Sequence, residues 1–153
     1  MEYLRTNNVA LAEKFCRLAL DSGSFDPIVQ NELGVTLYRQ KRFAMAVDCF
    51  LNAIQREQAF GRVGPECIYF NLGHALRRLG KLKEAQDAFI HALALNNRSA
   101  SGHAALGLTY YLGGKYDMAV DSFHASLGLK PGDTLVTELL GLVLKDLAHS
   151  ITL

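Results

Sequence analysis

A chain of 153 residues, half of them hydrophobic and a fifth charged, has the size and balance of a single globular or solenoid unit. Its formal net charge of +1 lacks the basic footprint of a dedicated nucleic-acid binder. No apolar run approaches the roughly 18 residues of a membrane span, so neither nucleic acid nor membrane is expected among the partners.

The opening Met1-Glu2-Tyr3-Leu4-Arg5 has no apolar core of the kind a secretory signal needs, and none is expected. A first helix is expected over 9–22. After Asp26-Pro27, where a proline in the first turn needs no donor, a second helix runs to about 40. Lys41-Arg42 make a turn, and the next helix covers 43–57. Then come a helix near 66–79, a Gly80-Lys81 turn, and a helix to about 95. A third pair follows: 100–112, a Gly113-Gly114-Lys115 turn, and a helix to about 129, with Pro131 as a stop signal. Leu140-Gly141 opens a last helix running to about 149. The expected units are a half repeat 8–22, repeats 27–58, 66–97 and 100–131, and a half repeat 134–149.

Four residues recur through these pairs. Leu33-Gly34 is followed by Ala46 and Phe50, Leu72-Gly73 by Ala85 and Phe89, and Leu106-Gly107 by Ala119 and Phe123. Glycine to alanine is always 12 residues, and alanine to phenylalanine always 4. Gly73, Gly107 and Gly141 are 34 apart, a period that belongs to stacked helix–turn–helix units. The glycines and alanines are expected to let paired helices approach, and the phenylalanines to fill the space between neighbouring units. One step back from Ala46, Phe50 and Ala53 lie Ala12, Cys16 and Ala19, so 9–22 reads as a second helix without its first. Solenoids need polar caps, and neither end supplies one. Leu139, Leu140, Leu142, Val143, Leu144 and Leu147 make the last helix apolar. A piece of a longer solenoid is the expectation.

Gly34 to Gly73 is 39 residues, five more than the period. The surplus lies around Phe60-Gly61-Arg62-Val63-Gly64-Pro65, and both a working loop and a tolerated insertion remain open readings.

No constellation announces catalysis. His74, His91, His103, His124 and His149 form no i, i+4 pair and have no nearby cysteine pair, so no metal is expected. Gly61-Arg62-Val63-Gly64 and Gly113-Gly114-Lys115 lack phosphate-loop order. Cys16, Cys49 and Cys67, an odd number within helical patterns, read as reduced thiols of a cytosolic or nuclear protein. Lys41-Arg42, Arg77-Arg78 and Lys81-x-Lys83 read as solvated turn residues. We expect no enzyme and no cofactor.

What remains is the concave groove lined by the first helix of each pair. Residues off the packing positions should face it: Asn31, Val35, Tyr38 and Arg39, then Phe70, Asn71, His74 and Arg77, then Ala104, Leu108 and Tyr111. An asparagine amide can pair with both sides of an extended backbone, and tyrosine gives rigid amphipathic contact. The groove turns apolar toward Leu108, Tyr111, Leu112 and Leu142, which suits an extended segment or an apolar helix face.

The Leu-Gly…Ala…Phe recurrence resembles the tetratricopeptide repeat (TPR) over nearly the whole chain. That implies an all-α fold: a right-handed superhelix, or α-solenoid, of antiparallel helix pairs with about eight helices. The early aromatic usual in that repeat stands only at Tyr69, with Gln30 and His103 in the other two places. A narrower likeness rests on several runs. They are Asn7-Asn8, Leu11-Ala12-Glu13-x-Phe15, Asp26-Pro27-x-Val29, Glu32-x-Gly34-Val35, the long loop, Asn71-Leu72-Gly73-His74 and Phe123-His124-x-Ser126-Leu127-Gly128-Leu129. These resemble the last repeats of anaphase-promoting complex subunits of the cell-division-cycle-sixteen type. The resemblance implies a nuclear and cytoplasmic scaffold subunit of a multisubunit ubiquitin ligase, with no ligase chemistry of its own. It implies that other subunits of that complex are partners, that the groove wraps a small extended accessory subunit, and that missing N-terminal repeats form a homodimer. Asn71 and His74 carry over as groove residues. Where that family tends to place histidine, this chain has Asn31.

Two rival functions fit worse. A co-chaperone clamp for a terminal carboxylate needs lysine, asparagine and arginine at five positions. Asn71 supplies one, while Val35, Ser101 and Ala105 stand at others. The asparagine ladder of a glycosyltransferase arm is broken at Glu32, Ala105 and Leu139. A generic TPR adaptor of another partner stays open.

Overall fold

The computed structural model describes residues 10, 11, 13, 14, 17, 18, 21 and 26–151. Among the described residues, seven helices with complete bounds follow one another: α1 (Pro27–Arg39), α2 (Phe43–Ala59), α3 (Glu66–Arg78), α4 (Leu82–Leu95), α5 (Ala100–Leu112), α6 (Tyr116–Leu129) and α7 (Thr134–Ile151). No strand occurs among the described residues. Ala10, Leu11, Glu13, Lys14, Arg17, Leu18 and Asp21 are helical. The expected packing of Ala12, Cys16 and Ala19 lies outside the described residues.

Local chemistry sets the boundaries. Asp26 caps α1 by accepting the Ile28 N–H at 2.9 Å, with Pro27 in the first turn. Ser99 caps α5 through the Gly102 N–H at 3.1 Å. The helix α2 runs two residues past its expected end, because no residue able to reverse the chain appears before Gly61, which has φ 67°. The helix α3 stops at Arg78, one residue early. The largest departure is α7, which starts at Thr134 and not at Leu140. Asp133 opens it, its carboxylate accepting the Val136 N–H at 3.3 Å.

The three inner turns share one geometry. Lys41, Gly80 and Gly114 stand at equivalent places with φ of 62°, 75° and 71°. Left-handed backbone favours glycine, so Lys41 carries a strain that the other two avoid.

Packing follows the recurrence with one correction. A Cβ on Gly34 would lie 2.5 Å from the Phe50 ring, one on Gly73 2.7 Å from Phe89, and one on Gly107 2.9 Å from Phe123. Each phenylalanine therefore seats on the glycine of its own repeat, and does not merely fill a gap between units. Phe50, Phe89 and Phe123, with Ala46, Ala85 and Ala119, have no exposed surface. They centre a continuous apolar core.

Each helix packs on its predecessor and its successor. Helices α1, α3, α5 and α7 also touch one another in sequence, whereas α2, α4 and α6 do not meet. The odd-numbered helices therefore form the inner, more closely spaced layer. Ser126 Oγ donates to the Ala100 carbonyl at 2.9 Å, tying α6 to α5, and Lys115 Nζ to Gln86 Oε1 at 2.8 Å, tying the start of α6 to α4. Glu13 is held by Arg17 and Arg42, each at 2.9 Å, and by Gln40 at 2.9 Å. Glu13 is thereby tied to the first turn.

Candidate functional site

The inner layer presents one side chain per helical turn from each odd helix, because residues three or four apart share a face. On α1 that face carries Val35 and Tyr38, and on α3 it carries Asn71 and His74. Together with Phe50 of α2 they enclose a hollow of about 80 Å³. Four expected groove residues thus converge on one place. Phe50 joins them as a residue that sequence reasoning had assigned to packing alone.

The hollow is fixed by polar links across the layer. Asn71 Nδ2 donates to Asn31 Oδ1 at 3.0 Å, joining α3 to α1. Asn31 is buried, so its amide oxygen braces two helices and is not offered to a ligand. His74 is half-buried against Phe70, with ring centroids at 4.6 Å, and against Phe89 at 5.1 Å, both edge-on. Burial, and then the nearby Arg77 charge, push its pKa down to about 4, so the imidazole is neutral at physiological pH. Arg77 Nη2 lies 3.3 Å from His74 Nδ1. A guanidinium can only donate, so Nδ1 is the acceptor and the ring proton sits on Nε2. Burial also lowers the pKa of Arg77 itself.

The other expected groove residues sit apart from the hollow. Phe70 packs behind His74 and reaches Phe89 at 5.8 Å, so it supports the site from within. Arg39 is exposed at the end of α1. Ala104, Leu108 and Tyr111 lie half-buried on α5. The Tyr111 hydroxyl donates to Asp146 Oδ2 at 2.7 Å, so this residue braces α7, a partnership no local sequence pattern signals. Tyr38 meets Phe43 edge-on at 5.2 Å.

Two further expectations take physical form here. Arg78 lies 5.1 Å over the Phe43 ring, so one turn cation is held by an aromatic face as well as by solvent. The long loop leaves Phe60 and Val63 exposed, together with Ile28 of α1, around a second hollow of about 530 Å³. Arg62 covers the Phe60 ring at 5.4 Å. Among the described residues no three His, Cys, Asp or Glu side chains converge as a metal site would need, and no helix is long and apolar enough to cross a membrane.

The tetratricopeptide repeat description matches residues 26–98 and again 70–134. The chain belongs to the tetratricopeptide repeat family. Within that family it is 38% identical over 145 residues to the human cell division cycle protein 16 homolog, covering 92% of this chain and 23% of that protein. It is 37% identical over 146 residues to anaphase-promoting complex subunit 6 of Arabidopsis thaliana, covering 95% and 27%. Among solved structures it is similar to the APC/C hetero-tetramer Cut9-Hcn1, at 27% identity and a TM-score of 0.79, covering 94% of this chain and 28% of that one. The chain thus spans about a quarter of the length of the relatives it matches. As a TPR chain it has the family's α-solenoid fold, and several of its relatives are subunits of the anaphase-promoting complex.

Proposed function

We propose that this chain is part of a non-catalytic scaffold subunit of an anaphase-promoting complex, and that its inner groove holds a small accessory subunit in extended form. The observation that carries the reading is the hollow between α1 and α3. It is shaped by Val35, Tyr38 and Phe50 and edged by the Asn71 amide and the His74 ring. An apolar recess beside fixed polar groups suits a side chain and its flanking backbone from an extended segment. The solved relative, a hetero-tetramer of Cut9 with Hcn1, supports a second polypeptide as the occupant.

On this reading the other subunits of the complex are protein partners, and the protein works in nucleus and cytoplasm without ligase chemistry of its own. The reading includes a division into half repeats and repeats at 8–22, 27–58, 66–97, 100–131 and 134–149. Repeats preceding this chain would form a homodimer.

Calorimetric titration with an Hcn1-type accessory polypeptide tests the reading. Asn71→Ala should weaken binding by about 1–2 kcal/mol, and Val35→Glu, which needs no broken Asn31 bond, should weaken it at least as much. Tight binding of a heat-shock C-terminal peptide, with no binding of the accessory polypeptide, would contradict it.

A further inference from the structure

The odd helices carry an equivalent column of side chains: Tyr38, Arg77, Tyr111 and Lys145, separated by 39, 34 and 34 residues like the glycines beside them. Lys145 is exposed to water, whereas Arg77 is half-buried in the middle of the inner layer. Other charged groups of the molecule have partners. Arg78 lies on Phe43, Arg42 and Arg17 share Glu13, and the Asp146 carboxylate accepts from Tyr111. Arg77 makes no ion pair among the described residues. Its contact is the neutral His74 ring at 3.3 Å, and its Nε is buried with no hydrogen-bond partner.

A guanidinium has five N–H donors and no acceptor. Holding one partly out of water without a counter-charge is unfavourable, and an unsatisfied buried donor adds to that. None of the polar groups around it, Tyr38 included, is a carboxylate. His74 accepts one bond, and its remaining ring nitrogen is itself a donor. Asn71 already directs its amide nitrogen at Asn31. The site is rich in donors, positively charged, and beside an apolar recess. That chemistry fits a carboxylate, which a guanidinium grips through paired, charge-assisted bonds.

We propose that Arg77 is a specificity-determining residue that receives a carboxylate of the segment lying in the groove. An apolar side chain of that segment would enter the recess at Val35 and Phe50. That the carboxylate belongs to a polypeptide rests on the function proposed above; that Arg77 takes a carboxylate does not. The arrangement differs from the co-chaperone clamp, since the cation comes from the last turn of α3 and the clamp positions Ser101 and Ala105 are uncharged.

Acetate and acetamide, titrated separately into the isotopically labelled chain, provide the test. Arginine side-chain N–H resonances are followed in the wild type and in Arg77→Lys. Acetate should shift the Arg77 Nε–H signal saturably, acetamide should not, and the response should be absent in Arg77→Lys. Equal responses to both probes, or none to acetate, would overturn the assignment. Arg77→Met supplies a readout that a merely structural role would move the other way. Removing a cation without a counter-charge should leave the melting midpoint unchanged or higher, and a clear fall would count against the proposal. An Hcn1-type polypeptide with each acidic residue changed to its amide, or with its C-terminus amidated, then identifies the source. One such change should weaken wild-type binding about tenfold and leave Arg77→Gln binding unchanged, and the absence of any such change would overturn the assignment. An acetate response with no binding of that polypeptide would overturn the proposed function and leave the role of Arg77 standing.

Discussion

Gly73 and Gly141 occupy equivalent places, two repeats apart, and their surroundings are opposite. A Cβ on Gly73 would collide with Phe89 at 2.7 Å, whereas one on Gly141 would meet nothing within 4 Å. The same residue is demanded by packing in the middle of the solenoid and by nothing visible on α7. The neighbouring column agrees. His74 is wedged between Phe70 and Phe89, and its counterpart Leu142 is half exposed at 51%. A repeat motif therefore reports a contact only where the helix that completes it is present.

The comparison breaks most easily at the phenylalanine. Phe89→Ala removes a side chain with no exposed surface and should cost about 3–5 kcal/mol. That is a large share of any marginal stability. Leu142→Ala should stay within about 0.5–1 kcal/mol, as expected for an exposed position. Chemical denaturation of the two variants reads both, and a melting midpoint for Phe89→Ala within a degree or two of wild type would refute the repeat alignment.

Acid should separate the two regions next. His74 binds its proton near 6.5 when unfolded and at about 4 when folded. Between those values the unfolded chain holds a proton the native chain refuses, so stability falls as pH falls from about 6.5 to 4. The loss should be on the order of 2–3 kcal/mol, and His74→Gln should flatten it. Below that window Glu13, held at about 2 by Gln40 and Arg17, should produce a further loss as it protonates. Denaturant midpoints across pH for wild type and His74→Gln would show whether the slope belongs to this ring.

Gly73→Ala should destabilise by about 1–3 kcal/mol through overpacking on Phe89. Gly141→Ala should stabilise by about 0.5–1 kcal/mol, since alanine is the better helix former where space is open. Opposite signs at equivalent positions sharpen the contrast; equal signs would erase it.

The smallest effect lies in the turns. Gly80→Ala should lose about 1–2 kcal/mol at its positive φ, and Lys41→Gly should gain up to about 1 kcal/mol. Thermal melts of the pair suffice.

The fold was legible because its governing contacts are short in sequence. Gly73 to Phe89 is a single helix hairpin, so helical period and turn chemistry fix it together. Helix ends erred where a cap lay outside the repeated motif, as Asp133 does for α7. The groove was half legible. Facing positions on α1 and α3 follow from helical period, and Val35, Tyr38, Asn71 and His74 do meet. The Asn31–Asn71 bridge and the Tyr111–Asp146 bond depend on how far one helix slides along the next, which no local pattern encodes. The unpaired state of Arg77 was hidden for the same reason, since the sequence shows the basic pair but not which member finds Phe43.

The central claim is that the odd helices hold an extended partner segment. Its most direct test is a map of backbone amide shifts in the labelled chain on addition of an Hcn1-type accessory polypeptide. The account predicts perturbations concentrated at Val35, Tyr38, Asn71, His74 and Leu108, with the outer faces of α2, α4 and α6 unmoved. Perturbations on those outer faces or on the 59–65 loop, with the groove silent, would contradict it.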